Sequence, residues 1–517
     1  MLTLLICVPL AGVIILPFIK GQRPPAFIAL FLSLVTFALS WTLLDGFDPQ
    51  AGGFQAVESI AILPALQVSY KLGIDGISLV MILLTTALFP LVILGSLRTI
   101  DKHASGYYLS LLLLETGVIG AFAALDLVLF YVFWEIMLVP MFFIIGIWGG
   151  QQRVYATIKF VLFTMIGSLL MLVAILYMGS QTGSFDYEVW LQNPPQGEAA
   201  YWLFGAFALA FLIKVPVFPL HTWLPDAHTE APAGGSVILA GVLLKLGTYG
   251  LLRFNLPLFP AASMELATFM LILAVIGIIH GAMAAAVQPD MKRLIAYSSV
   301  SHMGFIVLGI FSFTAGGLEG SIVQMINHAI STGALFFLVG MIYDRTHTRM
   351  MADYGGMGKV IPVFAVLFLI STLASAGLPG LNGFIGEYVI LVSAYQSQPL
   401  ITLIAVSGVV LGAWYLLKLY GRVFFGPIST KLQHMPDDIH VREVLVIAPL
   451  IAMMFLFGLY PAPIFDLVSK SVELNVSNYI INTNENPDDQ QSSTEASAAE
   501  LKTQTGLEQG SKDTHHE

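Results

Sequence analysis

Seven ionisable side chains interrupt long apolar runs of the sequence, and these residues are the best placed to carry chemistry. They are Glu115, Glu135, Lys214, Lys245, His302, His328 and Glu387. A charge at the centre of a membrane span costs roughly 2.5–3.5 kcal/mol on insertion scales, so such residues are rare unless a function requires them. In FYVFWEIMLVP (130–140), for example, apolar and aromatic residues surround one carboxylate, Glu135.

Acids, lysines and histidines in this setting are suited to moving protons or ions. Burial disfavours the charged form of a lysine, and a nearby carboxylate favours it again, so a change in their separation can load or release a proton. A histidine titrates near neutral pH and suits intermediate steps. We therefore predict that these residues form a chain within the membrane.

Simpler roles compete with this prediction. Lys418 lies near a span end, where its ammonium group can reach the interface, and His280, His302 and His328 could each be ordinary buried hydrogen-bonding groups. Glu115 could be a structural carboxylate bonded to a neighbouring Ser or Tyr. For Glu135, Lys214, Lys245 and Glu387 a purely structural role is disfavoured, because each lies several residues inside an apolar run.

Metal binding is a weaker hypothesis. PLHTWLPDAHTE offers four candidate ligands, but they lie in a proline-rich segment and the sequence has no H-E-x-x-H motif. These four residues are His221, Asp226, His228 and Glu230. We predict no metal site.

The composition indicates a polytopic membrane protein. Hydrophobic residues make up 57% of the 517 residues and charged residues 10%, whereas soluble domains carry about 25% charged residues. The single cysteine, Cys7, excludes a disulfide framework within the chain and Cys-ligated iron–sulfur clusters. No dinucleotide or phosphate-loop fingerprint is present. The N-terminus has no basic region or cleavage site and reads as a retained first span.

About fourteen apolar segments are long enough to span a bilayer. They lie near 2–19, 25–44, 76–98, 107–122, 125–147, 157–178, 201–219, 234–254, 262–286, 294–312, 320–343, 361–395, 399–420 and 442–461. Basic residues fall in alternate loops, which by the positive-inside rule face the cytoplasm and put both termini on the other side. The predicted fold is therefore an all-α polytopic membrane protein.

Two spans are interrupted by proline and glycine, at 207–235 and 371–391, and each is predicted to unwind or kink there. Paired interruptions indicate two inverted five-helix repeats. We expect helices 1–3 and a hairpin loop in 1–106, the first repeat (helices 4–8) in 107–254, the second (helices 9–13) in 262–425, a final transmembrane helix in 442–468, and an acidic, disordered tail in 483–517.

Several strings carry a resemblance to a known family. FWEIMLVPMFFIIGIWGG, FLIKVPVFPLHTWLPDAHTEAPAGGSVILAGVLLKLGTYGLLRF, QPDMKRLIAYSSVSHMGFI, INHAISTGALFFLVG, GLPGLNGFIGEYVIL and LGIDGISLVMILLT resemble the antiporter-like membrane subunits of respiratory complex I, the proton-translocating NADH:quinone oxidoreductase. The resemblance covers all but the acidic tail. Glu387 at the second interruption is typical of the M-type (subunit-4 type) chain, whereas its relatives usually have lysine there. Only a polar tail is expected after the fourteenth span, unlike the lateral helix of the L-type chain.

The resemblance implies a role for each residue. Glu135 and Lys214 match a glutamate–lysine pair, Lys245 a central lysine, and Glu387 the terminal ionisable residue. His302 and His328 match polar links between them, and Glu115 a further glutamate in the fourth helix.

The resemblance also implies the surroundings of the chain. It implies a translocase subunit without redox chemistry or cofactors of its own; NADH, FMN, iron–sulfur clusters and quinone belong to partner subunits. Its partners would be the lipid bilayer and neighbouring antiporter-like chains on both sides, with no nucleic acid. We expect a bacterial inner membrane location with periplasmic termini.

Other functions remain open at this stage. The chain could belong to a multi-subunit cation/proton antiporter, to a membrane-bound hydrogenase, or to a ferredoxin-fed photosynthetic relative of complex I. It could also be a structural scaffold whose buried charges only hold helices together. The choice between proton and sodium stays open.

Overall fold

The computed structural model describes residues 1–429 and 438–484 of the chain, and these residues are mainly helical. Eleven of the described helices are long and apolar enough to cross a membrane, and two shorter apolar helices cover Leu2–Phe18 and Pro362–Ser375. The all-α polytopic fold is confirmed. The expected number of fourteen spans and the two inverted repeats stay predictions.

The first third of the chain contains eight helices and an antiparallel two-stranded hairpin. The helices are α1 (Leu2–Ile15), α2 (Arg23–Asp45), α3 (Gly76–Ser96), α4 (Ala104–Ala123), α5 (Leu127–Ile136), α6 (Leu138–Trp148), α7 (Arg153–Thr182) and α8 (Tyr187–Gln192), and the strands are β1 (Gln55–Leu63) and β2 (Val68–Ile74).

The middle of the chain holds the first interruption. Its helices are α9 (Glu198–Lys214), α10 (Trp223–Glu230), α11 (Ala233–Ile238), α12 (Leu244–Gly250), α13 (Leu256–Leu258), α14 (Pro260–Glu265), α15 (Ala267–Ala286) and α16 (Met291–Ile310). Helices α11 to α13 form one continuous, fully buried span, Ala233–Leu258. Two π-helical segments, Leu239–Leu243 and Leu251–Asn255, lie within it.

The last part holds the second interruption. Its helices are α17 (Ala315–Thr346), α18 (Met357–Val360), α19 (Pro362–Ser375), α20 (Asn382–Ser397), α21 (Pro399–Phe424), α22 (Val441–Leu459) and α23 (Ala462–Asn484).

Aspartates at helix starts fix the hairpin against the helices. Asp126 caps α5 by accepting from the amides of Val128 and Leu129 at 2.9 and 3.1 Å, which satisfies donors that a helix N-terminus leaves unpaired. The other oxygen of Asp126 accepts from the Ser69 amide of β2 at 2.9 Å. We call the side of the chain that carries β1, β2 and α8 the hairpin face.

Both predicted interruptions are confirmed. Helix α9 ends at Lys214 and α10 begins at Trp223, with Pro216 and Pro219 between them. Helix α19 ends at Ser375 and α20 begins at Asn382. Gly377 lies between α19 and α20 with a φ of +77°, a conformation that residues with a Cβ rarely adopt.

The end of the described chain differs from the prediction. A single final helix over 442–468 and a polar tail after it were expected, but α22 ends at Leu459 and α23 continues from Ala462 to Asn484. Pro461 lies between the two helices, and Pro463 is the second residue of α23, where a helix tolerates proline. Ile464, Val468 and Val472 recur every fourth residue and are buried, so α23 is an amphipathic helix that hydropathy alone does not detect. Most of the predicted acidic tail, 485–517, lies outside the described residues.

Candidate functional site

The central residue of the site is Lys245, which is fully buried on α12. Its Nζ donates to the carbonyl oxygen of Ala240 at 2.5 Å and lies 2.6 Å from Nδ1 of His328. Ala240 belongs to the first π segment, and such segments occur frequently at functional sites. The π segment thus supplies a backbone acceptor for the buried ammonium group.

From Lys245 a line of polar side chains crosses four helices. His328 on α17 faces His302 on α16 with a ring-centroid distance of 5.8 Å. His302 Nδ1 lies 2.7 Å from Glu387 Oε1 on α20, at hydrogen-bond distance. All four side chains are buried. The structure therefore brings together Lys245, His328, His302 and Glu387, which are far apart in the sequence, and we call these four residues the axial line.

Three side-chain amides and a hydroxyl lie on or beside the axial line, and none of them was predicted from the sequence. Gln324 Nε2 donates to Glu387 Oε1 at 3.0 Å, and Ser375 Oγ lies 3.5 Å from His302 Nε2. Asn327 and Asn382 each donate to the other's backbone carbonyl, at 2.7 and 3.2 Å, and so tie α17 to the start of α20. The available signal was Gln324 and Asn327 in VQMINHA, where two amides share an apolar helix with His328.

The expected Glu135–Lys214 ion pair is not formed as a direct contact. Lys214 is 4% exposed, and no acidic oxygen in residues 1–429 or 438–484 lies within 4.0 Å of its Nζ. Its ammonium group instead lies 4.6 Å from the ring centroid of Trp134, a cation–π contact. Glu135, the next residue, is partly exposed near the end of α5. The sequence could not reveal that Trp134 occupies the contact position.

Helix α9 brings Lys214 toward the axial line through close packing. Val215, the residue after Lys214, packs on Gly247, two residues after Lys245. A Cβ at Gly247 would lie 2.7 Å from Val215 Cγ2 and 2.9 Å from its amide nitrogen. The segments that carry Lys214 and Lys245 are therefore in contact. Among the described residues, no hydrogen bonds link the ammonium group of Lys214 to that of Lys245.

Glu115 lies apart from the axial line. It is fully buried on α4, and its Oε1 accepts from Ser33 Oγ of α2 at 3.1 Å. This is the contact expected of a structural carboxylate. Lys418 likewise has a local partner, since its Nζ donates to the Ala286 carbonyl oxygen at 3.0 Å.

The four candidate metal ligands near the first interruption have separate partners. Asp226 binds Lys159 at 2.8 Å and Arg293 at 3.1 Å, while Glu230 Oε2 accepts from the Gln152 amide at 2.8 Å. The other two candidate ligands are histidines that make ring contacts. His221 packs on Phe218 and His280, and His228 stacks on Phe336. Nowhere in the described part of the chain do three potential ligands form a metal-sized group.

Interrupted helices around a buried line of lysine, histidine and glutamate define a class of multi-pass ion-translocating membrane subunits. Residues 124–412 match the family described as NADH:quinone oxidoreductase/Mrp antiporter, TM. The chain is 44% identical over 498 residues to NADH-quinone oxidoreductase subunit M of Rhodobacter capsulatus, covering 93% of this chain and 97% of that one. It is 43% identical over 471 residues to NADH-ubiquinone oxidoreductase chain 4 of Marchantia polymorpha, covering 90% and 95%.

Solved structures agree with these relatives. A chain of respiratory complex I from Thermus thermophilus superposes with a TM-score of 0.85 at 33% identity, covering 93% of this chain and all of that one. A chain of the Mrp complex from Dietzia shares the fold, with a TM-score of 0.83 at 21% identity over 93% of this chain and 98% of that one. The chain belongs to the family of antiporter-like membrane subunits of NADH:quinone oxidoreductase and Mrp antiporters, and it is a multi-pass integral membrane protein.

Proposed function

We propose that this chain is the M-type subunit of a proton-translocating NADH:quinone oxidoreductase and moves protons along the axial line. The observation that carries the proposal is the buried contact series from Lys245 through His328 and His302 to Glu387. Burying four ionisable groups within a membrane protein is unfavourable unless they are paired and used. The names of the relatives support the assignment to this enzyme complex.

In the proposed mechanism each histidine accepts a proton at one ring nitrogen and releases the proton held by the other. Lys245 gives a proton to His328 Nδ1, and His328 passes one from its other nitrogen toward His302. His302 then gives its Nδ1 proton to Glu387 Oε1. After one passage His328 holds its proton on Nδ1 and His302 on Nε2, so each ring must return to its starting tautomer before the next proton can pass.

Lys214 and Glu135 form the proposed switch that starts each cycle. Lys214 lies over the face of Trp134, and Glu135 is the adjacent residue in α5. Rotation of the Glu135 carboxylate toward Lys214 would stabilise the ammonium form, and its withdrawal would favour release of a proton toward Lys245. Energy for this motion would come from quinone reduction in partner subunits, which would also carry NADH, FMN and the iron–sulfur clusters.

The proposed placement is the inner membrane of a bacterium, with both termini on the periplasmic side and antiporter-like chains as neighbours. The distribution of basic loops supports this orientation. The chain itself would perform no redox chemistry and hold no cofactor.

The experiment compares Lys214→Met and Glu135→Gln complexes reconstituted in proteoliposomes. We expect assembled complex with strongly reduced proton pumping per NADH oxidised. Normal pumping by the assembled variants would contradict the relay and favour a scaffold role for the buried charges.

A cation/proton antiporter subunit is the second candidate, because the matching family includes Mrp antiporters. Dependence of pumping on sodium in the same proteoliposomes would favour it over the proton relay.

A further inference from the structure

A cavity of about 370 Å³ on the hairpin face approaches the span that carries Lys245. Its lining includes Phe54, Asp75, Tyr187, Arg253 and Ser471. These residues come from the hairpin region, the start of α3, α8, the second π segment and α23. The axial line does not use this cavity.

A buried ion pair forms the inner wall of the cavity. Arg253 Nη2 lies 2.5 Å from Asp75 Oδ1, and the two side chains are 4% and 5% exposed. Asp75 also caps α3 by accepting from the Ser78 amide at 2.9 Å. The Arg253 guanidinium lies 5.0 Å from the ring centroid of Phe54, and so the charge is covered on the side of the hairpin.

Tyr249 lies between this ion pair and Lys245. Its hydroxyl accepts from Arg253 Nε at 3.2 Å and donates to the Phe122 carbonyl oxygen at 3.1 Å. Lys245, Tyr249 and Arg253 follow one another at four-residue spacing, about one helical turn each, along the fully buried span Ala233–Leu258. The three side chains therefore start from one face of the span, and the hydrogen bond between Tyr249 and Arg253 connects that face to the cavity.

The span that carries this series departs from α-helical geometry at two places. One π segment, Leu239–Leu243, precedes Lys245, and the other, Leu251–Asn255, contains Arg253. A π segment inserts an extra residue into the helical turn and is associated with kinks and functional sites. A local change in the second segment would move Arg253 away from Asp75.

We propose that the Asp75–Arg253 pair is a closed gate between Lys245 and the cavity of the hairpin face. The gate rests on the proposed function, because it matters only if Lys245 carries protons. While it is closed, a proton on Lys245 has the axial line as its route, and short-circuiting to the hairpin face through Tyr249 is prevented. The rival role is a structural clamp that only holds α3 against the span.

The test measures passive proton leak, without NADH or quinone, in proteoliposomes that contain the whole complex. A pH step is imposed in the presence of potassium and valinomycin, and a trapped pH dye reports the decay. Asp75→Asn removes the charge but keeps an oxygen that can cap α3. The leak should rise about tenfold or more, because removing one partner of a buried pair strongly disfavours the closed arrangement.

Two further variants separate a gate from a general defect. Glu473→Gln removes a carboxylate charge outside the lining of the cavity, where the Glu473 side chain is 68% exposed, and should leak like the unaltered complex. Adding Lys245→Met to Asp75→Asn should return the leak to the unaltered level, since the route passes through Lys245.

An Asp75→Asn complex whose proton leak does not rise would contradict the gate. A raised leak that persists when Lys245→Met is added to Asp75→Asn would also contradict it. If Asp75→Asn prevents assembly, Arg253→Gln removes the other charge of the pair; its proton leak should also rise, and an unchanged leak would contradict the gate. Full NADH-driven pumping by Lys245→Met alone would instead contradict the proposed function.

Discussion

Replacing Gly247 with alanine should force apart the two segments that carry Lys214 and Lys245. An added Cβ would lie 2.7 Å from Val215 Cγ2, 2.8 Å from the Phe211 carbonyl oxygen and 2.9 Å from the Val215 amide nitrogen. Two of these three atoms are backbone, so rotation of a side chain cannot relieve the contacts. To reach about 3.4 Å, the backbone atoms would have to move by roughly half an ångström or more.

Overpacking of this kind typically costs about 1–3 kcal/mol, roughly a fivefold to 150-fold change in an equilibrium constant. We expect less assembled complex on native gels, a lower unfolding temperature, and less pumping per assembled complex. Gly205→Ala is the matched control, because it lies on α9 with no other atom within 4 Å of its added Cβ. If both variants behave like the unaltered complex, the contact between these segments is not as close as described.

Two other predictions concern polar contacts. Gln324→Met removes the 3.0 Å hydrogen bond to Glu387, a contact worth about 1.5–3 kcal/mol for a charged acceptor. The number of protons pumped per NADH should fall without loss of assembly. Unchanged pumping would exclude a role for Gln324 in positioning Glu387. Glu443→Gln breaks the pair with Arg345 at 2.6 Å, where both side chains are at most 9% exposed, and should destabilise the docking of α22 by about 3–5 kcal/mol, seen as a lower unfolding temperature. Glu473→Gln breaks a pair with Lys470 in which the glutamate is 68% exposed, and it should change the free energy of unfolding by less than about 1 kcal/mol. An equal loss of stability in Glu443→Gln and Glu473→Gln would contradict the difference in burial between the two pairs.

Hydropathy and proline placement were enough to predict the membrane fold and the two interruptions. Both of these features can be recognised within a short stretch of sequence. A segment that crosses a bilayer must be mostly apolar, and a proline disturbs the backbone hydrogen bonds of the helix that contains it. The amphipathic helix α23 was missed because its buried apolar residues Ile464, Val468 and Val472 alternate with polar ones, which lowers the mean hydropathy of the segment. The π segments were missed because no residue type in LAGVL or LLRFN requires an i→i+5 hydrogen bond.

The axial line was only partly predictable. The cost of burying a charge identified Lys245, His302, His328 and Glu387 as residues in need of partners. Which partner each one meets depends on helix packing over many intervening residues, so the sequence could not give the contacts. The same limitation explains why Lys214 was expected to face a carboxylate and instead lies over Trp134.

The most direct test of the axial line compares two glutamate-to-glutamine changes in equally buried carboxylates. Glu387 Oε1 lies 2.7 Å from His302 Nδ1, whereas Glu115 accepts a hydrogen bond from Ser33 at 3.1 Å and lies apart from the line. Protons pumped per NADH should fall strongly in the assembled Glu387→Gln complex and change little in Glu115→Gln. Equal pumping by the two variants, or a larger loss in Glu115→Gln, would contradict a proton path that ends at Glu387.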